Sequence, residues 1–358
     1  MNVTEQENLP VSKTPGKVLA AAGIFTIICC VGILCYSATL MLIVEKNIFA
    51  IQTPTLDLAC EDTNCLNVCV QRIPDFEIAS LYENRDDLAR KLGGYELARY
   101  KLDEQDGQLK NVATPSVPEY LKPYQADTQL HQRIWSYFTE LFPQNPELHA
   151  SYMIVYMDSS EDRHAASIRE LDGKWRLYVN LLHFNSPEAV LTILTHEYGH
   201  MLTLNRTQTQ KITNEYGRDR DRTGFDKMQA ACNGRFFTGF YCMKENAYLN
   251  DFGNHFWTGE VYENWMKAFV LMDNDEKLYK TAIDEFYLRY SDQFVRDYAA
   301  TNPLEDIADS WTEFILRPKP SGTTIADQKV LFFYEYPELV QMRRGIIQSV
   351  CQSAVDQK

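Results

Sequence analysis

Apolar residues recur along the chain in several rhythms, and each predicts a different kind of element. Residues 18–44 run for 27 positions without a charged side chain. As a helix rising about 1.5 Å per residue, such a run spans roughly 40 Å, more than the ~30 Å hydrocarbon core of a bilayer, so it predicts one tilted transmembrane anchor. A cleavable secretory signal is the competing reading, with Ser37, Ala38 and Thr39 as small residues of the cleavable kind. The run is about twice the length of a usual signal core, which favours the anchor. Helical spacing follows over residues 78–99, interrupted at Gly93 and Gly94, and an extended run over 114–122 is signalled by Pro115 and Pro118. Leu130, Ile134, Phe138 and Leu141 mark a helix over 128–142 that Pro143 ends.

The rhythm then changes to that of strands. Residues 152–157 form an apolar run, while 165–171 and 174–180 bracket Asp172-Gly173, a strong short-range hairpin signal. A helix over 187–204 comes next, with Ser186 as its cap, Pro187 at the first helical position and Glu188 facing the positive end of the dipole. Asn302 and Pro303 open another helix, and residues 329–347 read as a closing helix. The expected organisation is a tail over 1–17, the anchor over 18–44, a stalk and small N-terminal region over 45–127, and one α+β domain over 128–358.

Charge and cysteine usage place that domain. Lys13 and Lys17 before the anchor, against Lys46 after it, put the N-terminus inside and residues 47–358 outside the cytoplasm. Six of the nine cysteines lie beyond the anchor: Cys60, Cys65, Cys69, Cys232, Cys242 and Cys351. An even number in an oxidising compartment permits disulfides, and Cys232 with Cys242, bracketing a short glycine-containing segment, is the pair expected. No C-x-x-C pair accompanies Cys60, Cys65 and Cys69, which speaks against a metal cluster there. A net charge of −14 with no basic run offers no footprint for a phosphate backbone, so nucleic acid is not an expected partner.

The chemistry concentrates in the helix over 187–204. His196 and His200 stand four residues apart with Glu197 between them. On an α-helix this spacing puts both imidazoles on one face, able to converge on a single cation, with Glu197 beside the same opening. A catalytic zinc site needs three protein ligands and an open position, so a third ligand must come from elsewhere.

Strand, hairpin and capped His-Glu-x-x-His helix in that order resemble the zincin metallopeptidases. The resemblance implies a small twisted sheet with an active-site helix, followed by a mainly helical C-terminal lobe. The metzincin branch places a histidine six residues after the second ligand, where this chain has Arg206. The gluzincin branch fits, because Glu305 and Asp309 stand four apart at the start of the helix opened by Asn302-Pro303. By that resemblance Glu305 is the third zinc ligand and Asp309 orients a ligand histidine; Glu305 also stands where a capping-box glutamate would. Residues 294–314 are similar to the anthrax-lethal-factor-like and related bacterial secreted peptidases, in which a tyrosine seven residues before the zinc glutamate faces the oxyanion. That residue here is Tyr298, with His255 as the alternative for the role.

The implied protein is a membrane-anchored endopeptidase with one Zn2+ per chain, acting on extracytoplasmic protein or peptide, with Glu197 as general base and Tyr298 as oxyanion donor. Two alternatives stand beside it: a non-catalytic binding ectodomain of the same fold, and a toxin-like peptidase of narrow specificity. The 105 positions from His200 to Glu305 exceed the usual gluzincin separation and suggest a lid, a specificity wall or a structural cap. Asn205-Arg206-Thr207 fits a glycosylation sequon.

Overall fold

The computed structural model describes residues 94–356, apart from 104–107, 146, 160–164, 185, 211–221 and 273–274, together with Leu66 and Cys69. The expected anchor over 18–44, and Cys60 and Cys65, lie outside the described residues. Among the described residues no helix is long and apolar enough to cross a membrane.

The chain is mixed α+β, a small sheet followed by a mostly helical C-terminal part. Strands β1 (Tyr95–Leu102) and β2 (Leu109–Ala113) precede helix α1 (Thr128–Leu141). Strands β3 (Ala150–Met157), β4 (Ala166–Leu171) and β5 (Lys174–Asn180) lead into α2 (Pro187–Leu204). After it come β6 (Thr209–Gln210), α3 (Arg222–Ala231), β7 (Cys242–Met243), α4 (Tyr248–Phe256), α5 (Gly259–Phe269) and α6 (Glu276–Tyr290). The chain closes with α7 (Pro303–Leu316), α8 (Ile325–Phe332) and α9 (Pro337–Asp356).

The large sheet has the order β2-β1-β3-β5-β4. Strand β5 runs parallel to β3 and returns antiparallel beside β4, which leaves β4 as an edge. The turn between them uses Asp172 at φ 52° and Gly173 at φ 77°, the two left-handed residues that a two-residue hairpin loop requires. A side chain at position 173 would collide with the Arg206 guanidinium, which lies over the turn and bonds Glu170 at 2.7 Å.

Two sequence expectations fail here for the same reason. Residues 95–99 were expected to be helical, yet they form β1, because Leu97, Ala98 and Tyr100 are buried where β1 pairs with β3. The expected boundary between 127 and 128 fails too, since β1 and β2 supply two of the five strands of the domain's own sheet. The closing helix is also divided: Pro337 starts α9 after α8 and a short 3-10 turn at Phe333–Glu335. Cys232 pairs with Cys242 as expected, and Cys69 pairs with Cys351, tying the N-terminal side of the domain to α9 across 282 residues. Asn205 of the sequon is buried, with its amide spent on the Met201 and Leu202 carbonyls at the end of α2, so it is a helix cap rather than an attachment point.

Helix α1 starts on Asp127, whose carboxylate accepts from the Leu130 amide, and its apolar face covers the sheet. Within that face His131 is fully buried, and the Tyr100 hydroxyl meets its Nδ1 at 2.8 Å. Burial pushes this imidazole from 6.5 down to about 4, despite the nearby charge of Asp127. The unfolded chain therefore binds a proton between pH 6.5 and 4 that the folded chain refuses, and stability falls as pH drops through that window. His131 accounts for roughly 3 kcal/mol of that loss by pH 4. Urea unfolding of wild type and His131→Phe from pH 7 to pH 4 should show the gap between them shift toward the variant by that amount. Parallel pH profiles would mean that the folded protein accepts the proton.

Candidate metal centre

Two helices make the site. Helix α2 is anchored at its start by Ser186, whose hydroxyl accepts from the Ala189 amide, with Pro187 at the first helical position where no donor is needed. Helix α7 starts likewise on Asn302, whose side-chain oxygen accepts from the Leu304 amide at 2.9 Å and the Glu305 amide at 3.2 Å.

Gly199 lets the two helices meet. It lies between the two histidines, and a Cβ built there would stand 2.9 Å from Trp311 Cδ1 and 3.3 Å from the Cα of Ala308, both on α7. A Cβ would press on both, so glycine lets α7 come this near without a shift, and Ala308 and Trp311 flank Asp309 on the same helix. With this approach α7 delivers its first two turns to the histidines.

There the side chains converge. His196 and His200 stand with ring centroids 4.7 Å apart and planes crossed at 88°, and both present Nε2 to one oxygen of Glu305. Glu305 Oε2 is 3.0 Å from His196 Nε2 and 3.2 Å from His200 Nε2. Asn302 already occupies the Glu305 amide, while the Glu305 carboxylate reaches the histidines, so the three side chains form a group that could hold a metal ion. The three donor atoms all lie within 4.8 Å of one another. Tetrahedral coordination with bonds of about 2.1 Å places donors about 3.4 Å apart, so two imidazole nitrogens and this oxygen fit one small divalent cation.

The surrounding charges favour a cation. Burial alone would lower the His196 ring, but hydrogen bonds to Asp309 and Glu305 and their charges raise it to about 10. Burial would raise the Glu305 carboxyl, yet the two histidines hold it well below the ordinary carboxylate range. A proton on His196 and a cation between the three donors answer the same excess of negative charge.

Asp309 reaches the other side of the same ring, its Oδ1 2.7 Å from His196 Nδ1. It is itself held by Arg296, which donates through Nε at 2.7 Å and through Nη2. The same guanidinium lies 5.2 Å from the Tyr298 ring centroid, and that ring is 5.9 Å from the ring of His196. Burial first, then the charges of Glu305, Glu197 and Asp309, raise the Tyr298 phenol, so its hydroxyl stays protonated and able to donate. Glu197 is buried in the same cluster. His255 sits elsewhere, lining a separate cavity with Asp251, Gln328 and Tyr336, and is not part of this cluster.

Sequence reasoning missed Arg296 and Tyr279. Arg296 belongs to no spaced motif, and only its position two residues before Tyr298 could have drawn notice. Tyr279 comes from α6, and burial together with the charge of Glu305 raises its phenol to about 12. The long segment between the histidines and Glu305 buttresses α7. Trp265 donates to the Thr301 carbonyl at 2.9 Å, and Trp257 donates to Asp306 at 2.7 Å.

No protein-family model, curated protein or solved structure matches this chain.

Gly199→Val is expected to force α2 and α7 apart, lowering stability by about 1–3 kcal/mol as overpacking does. Divalent-metal affinity should fall at least tenfold in the same variant. Titration with a chromophoric competitor, alongside thermal unfolding, checks both; undiminished affinity in a folded Gly199→Val chain would show that the close approach does not set the site.

Proposed function

We propose that this chain is a zinc-dependent endopeptidase of the gluzincin branch, tethered to a membrane through residues 18–44. The observation that carries the reading is the convergence of His196, His200 and Glu305 from two helices on one point. Two nitrogens and one carboxylate oxygen, with a position left for water, are a donor set that suits zinc. Bound there, the ion supplies Lewis acidity, polarising a carbonyl and making water a better acid.

The chain's own groups do the rest. Glu197 takes a proton from the attacking water and returns it to the departing amine. Tyr298, kept protonated, donates its hydroxyl to the oxyanion that develops on the carbonyl. Asp309 fixes the orientation of His196 through Nδ1, and Arg296 fixes Asp309. His200 lacks such a support among the described residues, its Nδ1 being buried without a hydrogen-bond partner.

Strand β4 suits substrate binding. It packs against α2, and its outer side has no strand partner among the described residues. An extended peptide aligned along that edge by main-chain hydrogen bonds brings a scissile amide toward the cluster. Two disulfides support an oxidising, extracytoplasmic setting, where the substrate is a protein or peptide.

Glu197→Gln should keep its metal and its melting temperature while losing about 10²–10⁴-fold in kcat on a peptide library. Tyr298→Phe should lower kcat about 10²–10³-fold with little change in KM. Equal turnover by wild type and Glu197→Gln would end the peptidase reading.

A further inference from the structure

The residue after Glu305 is Asp306, and it faces a different environment. Neighbours on an α-helix project about 100° apart, so while Glu305 meets the histidines Asp306 points into the interior against α8. There it meets Lys329, Nζ to Oδ2 at 2.7 Å, with side-chain exposures of 1% for the lysine and 0% for the aspartate. Trp257 Nε1 donates to the same oxygen at 2.7 Å. The ammonium lies 4.0 Å from the Phe294 ring centroid and 5.6 Å from that of Trp257. Asp306 Oδ1 is buried without a hydrogen-bond partner.

Such a pair is a poor way to gain stability. Removing two charges from water costs about as much as their attraction returns, and well-packed apolar side chains often do as well or better. What an ion pair fixes better than apolar packing is direction. One carboxylate oxygen is held by donors from α8 and from the end of α4, in the first turn of α7. Rotating or sliding that turn breaks both bonds.

We propose that Lys329 and Asp306 form a positioning pair, which with Trp257 sets the rotation of the first turn of α7 so that Glu305 faces His196 and His200. The inference rests on the metal-centre reading and adds that Glu305 is aimed from behind, by residues that touch neither metal nor substrate.

The test uses the full chain with Zn2+ and Co2+ as probes. In the double variant Asp306→Leu, Lys329→Met the melting temperature should stay near that of wild type. Zn2+ affinity should fall roughly tenfold, and the visible spectrum of the Co2+ form should change. A purely structural pair predicts the reverse, a lower melting temperature with metal affinity and spectrum unchanged, and that result overturns the proposal. If the double variant does not fold, Trp257→Phe decides: it removes one donor to Asp306 and leaves the ion pair. Zn2+ affinity should then fall about threefold, and affinity equal to wild type overturns the proposal. Glu305→Ala in the same titration separates the two readings. A loss there with none in the pair variants sinks the positioning pair alone, whereas no loss in Glu305→Ala removes the metal centre and this inference with it.

Discussion

The site depends on how closely two helices can approach. Gly199 sits in the middle of the His-Glu-x-x-His segment, and its missing Cβ is the space into which Ala308 and Trp311 of α7 fit. Neither helix holds a complete donor set. His196 and His200 follow from α-helical spacing on α2, but the third donor and the support for His196 arrive only when α7 lies against that glycine. A contact of van der Waals size therefore decides whether the two histidines share one point with Glu305, 105 residues beyond His200.

Charge distribution on α7 follows from the same packing. Three carboxylates fall within its first two turns, and each has a cationic or proton-donating partner. Glu305 meets the two histidines, Asp306 meets Lys329, and Asp309 meets His196 and Arg296. Acidic residues at a helix start are favoured by the dipole, which offsets part of the cost of burying them. Arg296 does more than balance Asp309: its guanidinium also lies against Tyr298, so one side chain links the support of His196 to the phenol. The tryptophans of the long segment before α7 hold its start from the other side. In its packing that segment serves as a buttress.

Features written in neighbouring residues were legible in the sequence. The caps at Ser186 and Asn302, the Asp172-Gly173 turn, the histidine spacing and the short cysteine loop each depend on a few adjacent positions. The local geometry of the chain enforces them wherever they occur. Features that depend on distant partners were not legible. Residues 95–99 have helical spacing, yet pairing with β3 outweighs it, and no local signal announces β2 as a strand of the same sheet. Pro337 is a local signal for dividing the closing helix, since proline disrupts a helix interior, and reading residues 329–347 as one helix passed over it. The Glu305 and Asp309 positions were readable only through resemblance to a known arrangement. Arg296, Tyr279 and Lys329 have no spacing pattern at all and emerge only from the packing of the helices around α7.

X-ray absorption at the zinc edge of the purified full chain measures the proposed coordination sphere directly. The expected spectrum shows two imidazole nitrogens and additional oxygen ligands at about 2.0–2.2 Å, with one of the oxygens lost in Glu305→Ala. A sulfur shell near 2.3 Å, or a spectrum that Glu305→Ala leaves unchanged, would contradict the assignment of His196, His200 and Glu305 as the metal centre.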